Sequence, residues 1–239
     1  MTDSTPFSSP LPGCEAVWQK TLELANFDPA VLEHERVRNA RPAYGLTLVV
    51  DYPLPGDLLA NVEPLRRICR QVLGDGVELY PDDHLHLTVY SLARSRTDPF
   101  PEEELAAVWS RWLPRLQAIA GDSPPLAVSL RGLAITWNGA VMVCGAASAG
   151  LRELQAQVSR LPGVAAPRDV PPHITIGQLQ HPCRTSEDFG QAMAALHRHA
   201  ADPIGTLHSA RLQILYYHSR LLDEIGRSAE ISLRRNHYA

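Results

Sequence analysis

Apolar residues recur along this chain with two different periods, and the two kinds of segment alternate from residue 44 onwards. Short apolar or alternating runs are typical of β-strands, whereas apolar residues spaced three and four apart are typical of amphipathic helices. The strand pattern occurs at residues 44–52, 77–80, 85–92, 126–130, 133–137, 141–145, 173–179, 210–217 and 229–233. The helical pattern occurs at residues 15–26, 57–73, 101–120, 148–161 and 186–201. The mixture predicts an α+β protein.

The elements follow the same order in two parts of the chain. A strand, a helix, a histidine-bearing strand, a helix and a further strand occur in residues 44–130 and again in residues 141–217. We interpret this as a duplication that gives two lobes, related by a pseudo-twofold axis, around a central cleft. Alternating strands and helices also suit a parallel doubly wound sheet. The absence of a Gly-rich loop between a strand and a helix argues against a nucleotide-binding fold of that kind.

The chain divides into three predicted segments. Residues 1–12 are rich in Ser, Thr and Pro, lack the pattern of a signal peptide and are expected to form a disordered tail. Residues 13–43 are expected to form a helical leader on the outside of the fold. Residues 44–239 are expected to form a single bilobal domain, with halves of roughly 44–137 and 138–239. No apolar run approaches the roughly 20 residues needed to span a bilayer.

Composition narrows the choice of partners. The 239 residues carry a net charge of −4, with 45% hydrophobic and 20% charged residues, which is ordinary for a soluble globular protein. The isoelectric point of about 6.2 provides no global basic field, so binding to duplex DNA is not expected. An anionic ligand must therefore be held locally, which favours a small ligand or the end of a strand.

The four cysteines are widely separated and include no Cys-x-x-Cys pair: they are Cys14, Cys69, Cys144 and Cys183. This spacing is typical neither of a disulfide framework nor of a zinc site. We expect all four to be buried or inert thiols, and we expect a reducing, cytoplasmic setting.

Two tetrapeptides of the form His-x-Thr-x, each with aliphatic residues at both x positions, carry the chemistry of the chain. They are His86-Leu87-Thr88-Val89 and His173-Ile174-Thr175-Ile176. Successive side chains of a strand point to opposite faces, so each His shares one face with its Thr while the aliphatic residues share the other. The alternative without a catalytic role is that both histidines are half-exposed strand residues, each beside a threonine that favours β-structure. Placement of both motifs at matching positions of a repeated pattern favours a matched pair of catalytic groups.

The residue types in these motifs suit phosphate chemistry. Histidine has an unperturbed pKa of about 6.5, so one imidazole can accept a proton while its partner donates one near neutral pH. The hydroxyls of Thr88 and Thr175 can donate hydrogen bonds to the non-bridging oxygens of a phosphate held between the histidines. Nothing in this arrangement requires a metal ion or a cofactor.

The two motifs, their spacing and the duplicated pattern resemble the 2H phosphoesterase superfamily, which includes 2′-5′ RNA ligase-like proteins and cyclic phosphodiesterases. The resemblance covers roughly residues 44–233. It implies a bilobal α+β fold in which two antiparallel sheets flanked by helices enclose a central cleft. It also implies that His86 and His173 are catalytic, that Thr88 and Thr175 bind phosphate, and that the reaction opens a 2′,3′-cyclic phosphate by attack of water. In several members the second histidine is the base and the first is the acid.

Several neighbouring residues leave alternatives open. Tyr90 is placed to stack on a base or to pack in the cleft wall, and His84 is expected to be an exposed residue at the entry to its strand. Many ligase-like members carry Arg where this chain has Gln178, so a positive charge near the phosphate is missing; Arg168 and Arg211 are the candidate substitutes.

Two other functions remain compatible with the sequence. The same cleft can serve as a nucleotide-binding module without turnover, or it can join RNA ends as a 2′-5′ ligase. Two lobes that close one cleft can work as a monomer.

Overall fold

The computed structural model describes residues 9–167 and 170–234, and this part of the chain contains six α-helices and nine β-strands. The helices are α1 Pro12–Leu22, α2 Pro29–Ala40, α3 Gly56–Leu73, α4 Glu102–Asp122, α5 Ala149–Ser159 and α6 Ser186–His197. The strands are β1 Tyr44–Val50, β2 Val77–Leu79, β3 Leu87–Arg96, β4 Leu126–Ile135, β5 Ala140–Ala147, β6 His173–Leu179, β7 Pro203–Ser209, β8 Arg211–Tyr217 and β9 Ile225–Ser232. None of these helices is both long and apolar enough to cross a membrane.

The strands form an antiparallel arrangement in the order β7-β4-β5-β6-β3-β1-β8-β9, with β2 also paired to β6. The two motif strands, β3 and β6, are joined by a single residue pair, Leu87 and Ile174. The two predicted antiparallel sheets are therefore connected edge to edge at the motifs, and the strands on either side form two lobes around a cleft. The predicted α+β fold class is confirmed.

The lobes do not follow the predicted division of the chain at residue 137. One lobe contains β1, β3, β8 and β9, and the other contains β2, β4, β5, β6 and β7. Strand β8 pairs with β1 over six consecutive residue pairs, from Gly45–Tyr217 to Val50–Leu212. The C-terminal strands thus complete the first lobe, because a hydrogen-bonding edge of β1 is filled by a strand from the far end of the chain.

Strand β4 joins two strands that the sequence pattern separates, and the join lies at Gly132. Its φ is +76°, and an added Cβ would lie 1.9 Å from the backbone oxygen of Ala200. The pairing register with β5 shifts between Leu130 and Leu133. A glycine with a left-handed backbone conformation therefore marks a bulge here rather than the end of a strand. Strand β7 has no counterpart in the sequence-based prediction.

The leader is part of the core, in contrast to the expectation that it packs on the outside. The side chains of Trp18, Phe27 and Leu32 are at most 2% exposed. The Trp18 indole Nε1 donates a hydrogen bond to the carbonyl oxygen of Leu133 over 2.7 Å. Helix α1 begins at Pro12, inside the predicted tail, and residues 1–8 lie outside the described ranges. Because the leader contacts β4 directly, it completes the second lobe.

Two of the four cysteines form a disulfide, so the prediction of four thiols is wrong for this pair. The bond joins Cys14 in α1 to Cys144 in β5. The two residues are 130 positions apart in sequence, and spacing alone does not reveal proximity across such a distance. Cys69 is a buried thiol, and burial raises its pKa to about 12; Cys183 is a half-buried thiol. The disulfide fixes the leader to the strand that pairs with β6.

Candidate functional site

A cavity of about 480 Å³ lies in the cleft where the two motif strands meet, and it is lined by His86, His173 and Thr88. The aliphatic residues Leu87 and Ile174 are fully buried on the opposite face of these strands. The period of two in each strand therefore turns both imidazoles towards the cleft. The structure thus brings together both predicted catalytic histidines and one predicted phosphate-binding threonine.

The two imidazoles have the same hydrogen-bonding arrangement. Nδ1 of His86 lies 2.9 Å from the carbonyl oxygen of His84, and Nδ1 of His173 lies 2.8 Å from the carbonyl oxygen of Pro171. A carbonyl oxygen can only accept, so we infer that Nδ1–H is the donor in both rings. In a ring with this tautomer, Nε2 is the nitrogen that accepts or donates a proton in an acid–base step.

The electrostatic environment keeps His86 neutral. Burial lowers the pKa of His86 to about 4, the acceptor carbonyl of His84 opposes this shift, and the nearby His173 and His84 rings lower the pKa further. His86 is partly exposed at the cavity, and its partly buried imidazole loses part of the hydration that stabilises the charged form. At pH 7 the Nε2 lone pair of His86 is therefore available to accept a proton.

The lowered pKa of His86 predicts a loss of stability in acid. The pKa of His86 is near 6.5 in the unfolded chain and near 4 in the folded protein, so the unfolded chain binds the proton more tightly. At pH values between these two, the free energy of unfolding therefore falls as the pH falls. Because the ring is partly exposed at the cavity, this shift corresponds to at most about 3 kcal/mol in the free energy of unfolding. We expect His86→Asn to remove this part of the pH dependence, as measured by urea unfolding at several pH values from about 7.5 to 4. The control is His208→Asn, which changes an exposed histidine; an unchanged slope in His86→Asn would contradict the prediction.

Tyr90 packs in the cleft wall. It lines the same cavity as Thr88, and the pairing register with β1 shifts so that Thr88 lies opposite Val49 while Tyr90 lies opposite Leu48. Its ring is 5% exposed within the hydrophobic core at the edge of the cavity, and its hydroxyl donates to the carbonyl oxygen of Ala165 over 2.8 Å. Of the two alternatives for this residue, the structure favours packing over base stacking.

Two residues around the second motif lie outside the cavity lining. Thr175 is half-buried on β6 and is not among the residues that line the cavity. Gln178 is 3% exposed, and its Nε2 donates to the carbonyl oxygen of Asn138 over 2.8 Å. The interpretation that Gln178 removes a charge beside the phosphate is therefore wrong, because this side chain stabilises the β4–β5 hairpin.

Among the described residues that line the cavity, Arg220 carries a positive charge, and the sequence analysis did not identify it. Arg211 instead pairs with Asp51 and Glu230, at 3.5 and 3.7 Å, and Arg168 lies outside the described residues. Arg220 follows β8, and it reaches the cavity because β8 pairs with β1 in the first lobe. No local pattern around residue 220 indicates this placement.

Two further features of the site concern titratable side chains. His84 is half-buried, with 20% of its side chain exposed, rather than exposed as expected. Its backbone carbonyl is the group that orients His86. Among the described residues, no group of three or more His, Cys, Asp or Glu side chains is placed to hold a metal ion.

Comparison with known proteins shows what the chain is similar to. The model of the 2′-5′ RNA ligase superfamily matches residues 54–220, which is more than two thirds of the chain. No curated protein sequence matches at a significant level.

Solved structures show the same fold at low sequence identity. TT0787 of Thermus thermophilus is 21% identical, with a TM-score of 0.51 over 81% of this chain and 100% of its own. A conserved protein of unknown function, ATU0111 from Agrobacterium tumefaciens, is 16% identical, with a TM-score of 0.57 over 96% of this chain and 95% of its own. Together with the two-histidine cleft, the family match over residues 54–220 shows that the chain belongs to the 2′-5′ RNA ligase superfamily of 2H phosphoesterases.

Proposed function

We propose that this protein is a phosphodiesterase that hydrolyses 2′,3′-cyclic phosphates at RNA 3′ ends or in small cyclic nucleotides. The observation that carries the proposal is the matched orientation of His86 and His173, each held through Nδ1 by a carbonyl two residues earlier in the chain. Both rings line one cavity, so a phosphate between them can meet two Nε2 atoms. Membership of the superfamily supports this chemistry.

The proposed mechanism uses the neutral His86 as the base. Nε2 of His86 takes a proton from water as the water oxygen attacks phosphorus. The bond between phosphorus and one ribose oxygen breaks, and the protonated Nε2 of His173 gives its proton to that oxygen. The product is a ribose phosphate monoester with a neighbouring hydroxyl, and proton exchange with solvent restores both rings. These roles reverse the assignment that the family resemblance implies, because the lowered pKa of His86 suits a proton acceptor.

The hydroxyl of Thr88 is proposed to hold the phosphate, because Thr88 lines the cavity. The family resemblance implies the same role for Thr175, but its half-buried side chain lies outside the cavity lining, so the proposal for Thr175 rests on the resemblance alone. Removing one donor to developing charge typically costs about 10²–10³-fold in kcat. We expect Thr88→Val, which keeps the shape of the side chain, to lower kcat by about 10²-fold. The comparison is Ser129→Ala, which removes an exposed hydroxyl from β4; equal rates for the Thr88→Val variant and wild type would contradict the proposed role.

The direct test is hydrolysis of 2′,3′-cyclic nucleotides by the purified protein. Because the side chains supply both proton transfers, we expect the same rate with and without EDTA. Product analysis identifies whether the 2′ or the 3′ bond is broken. An inert protein would reject the proposed function, and saturable binding without product would identify a nucleotide-binding module instead.

A further inference from the structure

A second pocket of about 150 Å³ adjoins the catalytic cavity, and Ser95 and Arg220 line both of them. Helix α2 and the residues that follow it form one wall of this second pocket, and the end of β3 forms another. Four arginines line it, and we call it the basic pocket: Arg38, Arg41, Arg96 and Arg220. The leader therefore contributes directly to a surface that is continuous with the active site.

The basic pocket concentrates positive charge in a protein that is acidic overall. Glu35 pairs with Arg38, and Glu104 pairs with Arg96 over 3.0 Å, so these two arginines are partly neutralised. In the described part of the chain, no carboxylate lies within 4.0 Å of Arg41, and its side chain is exposed. The cluster thus forms a local site for anions, and guanidinium is the side-chain group that best matches the geometry of a phosphate.

The route between the two pockets follows strand β3. Ser91, Ala93 and Ser95 line the catalytic cavity beyond Thr88, and their short side chains leave room along the strand. At about 3.3 Å per residue, Ser95 lies roughly 20 Å from Thr88. This separation exceeds the size of one nucleotide, so an anion in the basic pocket belongs to a different nucleotide from the one that reacts.

We propose that the basic pocket binds a backbone phosphate of the RNA strand upstream of the reacting 3′ end. This inference rests on the proposed function, since it takes the cavity around His86 and His173 as the place where the terminal phosphate lies. It assigns a role to the leader, because Arg38 and Arg41 precede the residues 54–220 that match the superfamily. The protein then binds an oligonucleotide more tightly than a mononucleotide.

The test compares the binding of two probes to Arg41→Ala and to wild type. The probes are a fluorescently labelled hexanucleotide with a 3′-phosphate and a nucleoside 3′-phosphate. We expect Arg41→Ala to weaken binding of the hexanucleotide about tenfold more than binding of the mononucleotide. The salt dependence of hexanucleotide binding should also fall by about 0.7 in the slope of log K against log salt, as for one lost phosphate contact on a single strand. Arg41→Glu should enlarge the tenfold difference.

The matched control is Arg36→Ala. Arg36 lies on the same helix, pairs with Glu33 and is not among the residues that line the basic pocket. Removing it changes the net charge equally, so an effect of the same size in both variants would overturn the proposal. If Arg41→Ala weakened the binding of both probes equally, that result would also overturn the proposal.

Binding of the 3′-phosphate probes requires no turnover, which separates this proposal from the proposed function. A protein that binds the hexanucleotide through Arg41 but hydrolyses no cyclic phosphate supports the basic pocket and rejects the phosphodiesterase activity. A protein that hydrolyses cyclic phosphates but binds the hexanucleotide equally well after Arg41→Ala rejects the basic pocket alone.

Discussion

Replacing either His86 or His173 with asparagine is expected to lower kcat for 2′,3′-cyclic phosphate hydrolysis by about 10²–10⁴-fold. Each ring holds its Nδ1 on a carbonyl oxygen two residues earlier, and the asparagine amide can donate a hydrogen bond to the same oxygen. The substitution therefore keeps the local hydrogen bond while it removes Nε2. Steady-state kinetics with a cyclic nucleotide measures the loss.

The double variant tests whether the two histidines act as a pair. If one proton is accepted and another donated in the same step, the second substitution should add much less than the first, since groups that act as a unit are strongly non-additive. His208→Asn is the control, because His208 is exposed on β7 and does not line the cavity. Retention of the full rate in either single variant would refute the two-histidine mechanism.

The second large effect concerns stability and the leader. Trp18→Ala is expected to lower the free energy of unfolding by about 3–5 kcal/mol, the usual cost of removing a large buried aromatic side chain. The Trp18 side chain is fully buried, its ring packs edge-on against His197 with ring centroids 5.2 Å apart, and its indole donates to the carbonyl oxygen of Leu133. Chemical denaturation of the oxidised protein, with the Cys14–Cys144 disulfide intact, provides the measurement.

The chain offers a matched control in Trp137→Ala. Trp137 is 46% exposed at the β4–β5 hairpin, so its removal leaves no internal cavity. We expect a change below about 1 kcal/mol. If the two tryptophan variants lost the same stability, the leader would not be an integral part of the core.

The strands of the site could be predicted because their information is local. His86 and Thr88, like His173 and Thr175, alternate with aliphatic residues, and the period of two in a strand assigns the two sets to opposite faces whatever the partner strand is. The Asn138-Gly139 dipeptide is a local signal of the same kind, because this pair of residues favours a tight turn between two strands. Gly139 has a φ of +84°, and its amide donates to the carbonyl oxygen of Thr136 at the turn between β4 and β5.

The errors of prediction occur where distant parts of the chain meet. For Tyr90 the sequence leaves base stacking and packing open, and the choice is made by its burial and by its hydrogen bond to Ala165, which lies 75 residues further along the chain. The strand pairing that brings Arg220 to the cavity joins the first lobe to residues far along the chain, and the Cys14–Cys144 bond joins positions 130 residues apart.

The sequence by itself determined the α+β class, the two motifs and the chemistry of their side chains. Each depends on residue type and on spacings of a few residues, which backbone geometry converts directly into a shared face. The tertiary structure alone decided how the strands divide between the lobes, where the leader packs, and which cations surround the cleft. Those features depend on contacts between segments remote in sequence, whose pairing is selected by burial and hydrogen bonding over the whole fold.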